Sequence, residues 1–122
     1  MPQSAINWFE IPVTNMERAV RFYKSIFAIE LEQMEVMGGT SAFFPYEVGG
    51  VGGSLTAGEG YVPSQSGAVI YLNGGQNLST VLDRVVPAGG QVLLAKTNIG
   101  ENGYIAFFLD TEGNKIGLHS GG

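Results

Sequence analysis

Two side chains in this 122-residue chain are suited to moving protons: Glu10, in the alternating run NWFEIPV, and His119, the single histidine, near the C-terminus. Successive residues of a strand point to opposite faces, so Glu10 shares a face with Trp8 and His119 shares one with Gly117. Set in an apolar cleft, Glu10 suits a general base that abstracts a proton beside a carbonyl, with His119 or a water molecule assisting. Two other readings of Glu10 stand beside this one: a carboxylate holding the polar end of a ligand, or a strand residue that is solvated or paired with Lys or Arg. His119 equally reads as a partly exposed strand residue. Trp8 and Tyr71 are large amphipathic rings, suited to walling a flat ligand or to filling the core.

Much chemistry is excluded by what is missing. Cysteine is absent, which removes disulfides, thiolate metal ligands and a Cys nucleophile. With one histidine, a metal site within one chain has at most one imidazole, and carboxylates, amides or water must supply the rest. The runs GGVGGS and KTNIGENGY lack the residue order of a phosphate-binding loop, and no Gly-x-Ser-x-Gly elbow occurs. Lys and Arg number 6 against 11 Asp and Glu, a net charge of -5, so no basic stripe is available to a phosphate backbone or an acidic membrane surface. No apolar run is long enough to span a bilayer, and the opening MPQSAINWFE lacks the pattern of a signal peptide; the expectation is a cytosolic protein without nucleic-acid or membrane partners.

The elements that must position these residues follow from periodicity, and the chain has room for one domain over 1–122. Ile6 to Val13 predicts a strand with Ile6, Trp8 and Glu10 on one face and Phe9, Ile11 and Val13 on the other. Thr14 and Glu17 have capping-box spacing, and Met16, Ala19, Val20, Tyr23, Ile26 and Phe27 form the stripe of a helix. Glu30–Met37 and Ser41–Tyr46 predict a hairpin about Gly38 and Gly39. The glycines around Val51–Ala57 predict either a strand beside a concavity or a flexible loop. A linker, 58–67, comes next. Then the pattern restarts: a strand at Ala68–Asn73, a helix stripe of Leu78, Val81, Leu82, Val85 and Val86 ended by Pro87 and Gly89–Gly90, and strands at Gln91–Thr97, Gly103–Asp110 and Lys115–Ser120, with DTEGN as the last turn.

Strand, helix and three strands thus occur twice, over about 5–57 and 68–120, and predict an α+β fold of paired βαβββ units. In this alignment Trp8 falls on Val69, and Phe43–Phe44 lie near Phe107–Phe108. That order, with FEIPVTNMERAVRFYKSIF and GYIAFFLDTEGNKIGLHS, resembles the vicinal oxygen chelate superfamily: glyoxalase I, extradiol dioxygenases, fosfomycin-modifying enzymes and bleomycin resistance proteins. The resemblance is to its short, single-domain, glyoxalase-like members. It implies curved sheets around a cleft, a helix outside each unit, and a homodimer. It also places the metal-ligand positions of the metal-using members on Trp8, about Gly53, about Val69, and Gly117. Indole offers no lone pair to a metal, Val has no polar atom and Gly has no side chain. The expectation is therefore a cleft without metal or other cofactor, lined by Trp8, Glu10, Gly53, Val69, Tyr71 and Gly117, that binds a small organic molecule. The alternative is a glyoxalase-like lyase or isomerase with Glu10 and His119 as its catalytic pair, or with a rearranged divalent site on those two residues.

Overall fold

The computed structural model describes residues 4–122. Strand β1 (Trp8–Pro12) buries Ile11 and leaves Trp8 and Glu10 on its open face, as the alternation predicts. Helix α1 (Met16–Phe27) then lays Ala19, Phe22, Tyr23 and Ile26 into the core. Its start differs from the expected capping box by one residue. Asn15 is the N-cap, its Oδ1 accepting the Arg18 N–H at 3.0 Å, because the Thr14 N–H and hydroxyl are drawn away to the Glu112 carboxylate. Helix α1 ends on Ala28 in the left-handed conformation, φ 55°.

Strands β2 (Glu32–Val36) and β3 (Gly39–Phe43) form the predicted hairpin. Its two turn residues, Met37 and Gly38, have φ of 50° and 80°, the sign that a tight turn matching the strand twist requires. Strand β4 (Gly52–Ala57) runs parallel to β1 and antiparallel to β3, which gives the order β1-β4-β3-β2. The glycine-rich run is therefore a central, buried strand. The second half repeats this order as β5 (Tyr71–Asn73), β8 (Lys115–Ser120), β7 (Tyr104–Leu109) and β6 (Gln91–Asn98). Two open, mixed four-stranded sheets result, an α+β fold of paired βαβββ units.

Two elements of the second half are shorter than periodicity predicts. Strand β5 begins at Tyr71, so Val69 precedes it. Helix α2 covers only Ser79–Leu82. Beyond it the Arg84 and Val85 N–H groups bond three residues back, to Val81 and Leu82, and this tighter winding rotates the stripe. Val85 stays buried while Val86 is 62% exposed. The sheet registers also move the internal alignment, since Trp8 pairs with Gly52 as Tyr71 pairs with Gly117. Trp8 therefore corresponds to Tyr71, not Val69.

The halves share one core. Phe22 and Tyr23 of α1 lie 5.8 and 6.4 Å from Phe108 of β7, ring centre to ring centre. The β7–β8 turn adds a polar tie: the Asn114 side chain donates to the Pro12 carbonyl at 2.7 Å. Among the described residues no helix is long and apolar enough to cross a membrane.

Candidate functional site

In a parallel pair, matched residues point the same way, so the register of β1 with β4 puts Trp8, Glu10, Gly52, Ser54 and Thr56 on one face. Strand β3 adds Ser41, opposite Thr56, and Phe43, opposite Ser54. At one end of this face Trp8, 38% exposed, stands 5.9 Å from Phe43 and 6.1 Å from Tyr46 between ring centres. Gly52 permits this aromatic group, because a Cβ there would collide with the Tyr46 ring and come within 3.0 Å of Trp8.

The middle of the face is polar. Ser54 and Thr56 share a hydrogen bond at 2.9 Å, Ser41 lies 3.4 Å from the Thr56 hydroxyl, and all three are buried. Beside them Glu10 is exposed, and its Oε1 accepts the Tyr61 hydroxyl at 3.0 Å. That bond raises the Tyr61 pKa, with the Glu10 charge adding to it. Glu10, Ser41, Thr56 and Tyr61, with Val36, Met37 and Ala57, line a cavity of about 410 Å³. Glu10 also borders a second cavity of about 220 Å³, beneath the linker, with Val62, Ala68, Ile70 and Lys115.

The other candidate residues are dispersed. Gly53 turns to the opposite face, where its missing Cβ makes room for the Phe9 ring; the residue beside Trp8 is Gly52. Val69 lies ahead of β5 and half exposed. Tyr71 and Gly117 are paired on the second sheet, with Tyr71 5.8 Å from Phe107. His119 is exposed on β8, its Nε2 2.6 Å from the Asn102 carbonyl oxygen. It lines neither of the described cavities that Glu10 borders. Tyr61, Ser41, Ser54 and Thr56 were not predicted as site residues. The hydroxyls carry a weak signal, an alternation within the strands, whereas Tyr61 sits in a segment whose composition reads only as linker.

The residues at the inherited ligand positions do not fit a divalent ion. Trp8 offers no donor lone pair, Tyr71, which the register matches to Trp8, offers a single phenol oxygen, and the spaces over Gly52 and Gly117 hold rings: a Cβ on Gly117 would come within 2.6 Å of Tyr71. Among the described residues no group of three or more His, Asp or Glu side chains is placed to hold a metal.

Comparison with known proteins agrees with the architecture. The family model of the Glyoxalase/Bleomycin resistance protein/Dioxygenase superfamily matches residues 5–118. The chain is 29% identical, over 95% of its length, to CFP32 of Mycobacterium bovis, a protein named provisionally as a glyoxylase, and spans 45% of that relative. Its fold is similar to the E144Q variant of glyoxalase I from Zea mays, with a TM-score of 0.72 at 19% identity, covering 93% of this chain and 44% of that one. It is also similar to TnmS3, an antibiotic binding protein from Streptomyces sp. CB03234, with a TM-score of 0.67 at 22% identity, covering 100% of this chain and 99% of that one. From repeated sheet order, shared core and matched family model alike, the chain belongs to the Glyoxalase/Bleomycin resistance protein/Dioxygenase superfamily.

Proposed function

We propose that this protein binds a small organic molecule on the open face of its first sheet, without a metal ion held by the inherited ligand positions. The observation that carries the reading is the exchange of ligand chemistry for rings: Gly52 lies under Trp8 and Tyr46, and Gly117 under Tyr71. The cavity of about 410 Å³ beside Glu10 has the size of small-molecule pockets, with Val36, Met37 and Ala57 set against the polar Glu10, Ser41, Thr56, Glu59 and Tyr61. TnmS3, an antibiotic binding protein, shares this fold over nearly the whole of both chains, which supports a binding role. A homodimer belongs to the same reading and is checked by sedimentation.

Trp8 is the single tryptophan, so its emission reports on this face alone. Titration with a library of small aromatic and heterocyclic compounds should give saturable changes in Trp8 fluorescence and matching thermal stabilisation, both unchanged by a chelator. Stoichiometric divalent-ion binding that is needed for the ligand response would sink the proposal.

A further inference from the structure

We propose that residues 59–62 form a gate over Glu10, pivoting at Gly60 and latched shut by the hydrogen bond from the Tyr61 hydroxyl to the Glu10 carboxylate. Among the described residues Glu10 alone borders both the cavity of about 410 Å³ and the cavity of about 220 Å³. Tyr61 lines the first, and Val62, its neighbour in the chain, lines the second. The segment therefore crosses between the two cavities at Glu10, and its position decides whether the carboxylate is capped or open to both. The gate is a property of the chain alone and is independent of the small-molecule reading.

The two ends of the linker are held very differently. At the far end the Ser64 N–H donates to Asn114 Oδ1 at 3.1 Å, and the Ser64 carbonyl accepts the Lys115 N–H at 3.3 Å. Asn114 is buried and bonded in turn to Pro12 and Asp110, so this anchor belongs to the core. Pro63, beside it, has its φ fixed by its own ring. Residues 59–62, by contrast, are all exposed, Val62 at 74%. Among the described residues they make two hydrogen bonds: the Tyr61 hydroxyl to Glu10 at 3.0 Å, and the Tyr61 N–H to the Gly58 carbonyl at 3.2 Å. Gly60 lies inside the turn that the second bond closes, at φ 87°, and a Cβ there would meet nothing within 4 Å. Rotation at Gly60 breaks the turn bond and the latch together and leaves the Ser64 anchor in place. Few buried contacts and exposed backbone hydrogen bonds mark segments that open locally, at a cost far below that of global unfolding.

Native-state hydrogen exchange reads the gate directly, because the Tyr61 amide is freed when the turn bond breaks. Tyr61→Phe keeps the ring and removes the latch. Exchange at amide 61 should quicken about tenfold, the loss of one hydrogen bond to a charged group, while the amides of Ser64 and of Leu55 in β4 keep their wild-type rates. Glu10→Ala removes the other half of the latch and should quicken amide 61 by a similar factor, and the double variant should be no faster than either single one. Unchanged exchange at amide 61 in both single variants, additive effects in the double variant, or equal quickening at Ser64 and Leu55 would overturn the gate. None of these outcomes bears on whether a small molecule binds.

Discussion

Tyr23 of α1 donates a hydrogen bond of 2.6 Å to the Asp110 carboxylate, 87 residues further along the chain and inside the core. Asp110 also accepts the Glu112 and Asn114 N–H groups and the Asn114 amide, which closes the β7–β8 turn. The first helix is thereby fixed to the last hairpin. Tyr23→Phe should destabilise the fold by about 1–3 kcal/mol, measured by urea unfolding. Burial, then the Asp110 charge and hydrogen bond, raise the Tyr23 pKa well above 10. The unfolded chain gives up this proton first, so the stabilisation holds below about pH 10 and fades above it. The wild type should lose stability above that pH more steeply than Tyr23→Phe.

Glu112 ties the same two regions, its side chain shielded from solvent beside the partly exposed Arg18. Its carboxylate accepts the N–H groups of Thr14 and Asn15 and pairs with Arg18 at 2.7 Å. Burial alone would raise its pKa, but the hydrogen bonds from Arg18, Asn15 and Thr14 outweigh that and bring it from 4.5 down to about 2. A lowered folded pKa means that the unfolded chain binds the proton more readily. The stabilisation is complete above about pH 4.5 and is lost as the pH falls towards 2. Glu112→Gln should cost roughly 1–2 kcal/mol at neutral pH, allowing for screening of the exposed Arg18. In unfolding curves recorded at falling pH, the gap between variant and wild type should close across that window.

Among the described residues two non-glycine residues hold left-handed backbone, Ala28 at φ 55° and Met37 at φ 50°. Ala28 closes α1, its N–H bonded to the Lys24 carbonyl, and Met37 opens the hairpin turn with its side chain fully exposed. Ala28→Gly and Met37→Asn should each stabilise by about 0.5–1 kcal/mol in thermal and urea unfolding, since Gly and Asn accept this conformation at lower cost. Because Met37 rims the cavity, Met37→Asn should also weaken an apolar ligand while Ala28→Gly leaves it unchanged.

The order of the elements was readable because each is written in short-range periodicity: the alternation of Ile6 to Val13, the stripe from Met16 to Phe27, and the return of the pattern after residue 67. The inventory of chemistry was readable too, since no cysteine and one histidine limit what any arrangement could achieve. Local spacing did not reveal Phe22, which faces the second unit's Phe108, or the early end of α2, where three-residue hydrogen bonds replace the helical ones. Strand register decided that Gly52 and not Gly53 lies beside Trp8, because one step along a strand reverses the face. Tertiary structure alone set Tyr61 on Glu10 across 51 residues and Ser41 beside Thr56 across 15. Such contacts depend on where strands pair and where a linker returns, and neither is encoded by the neighbours of the residues that meet.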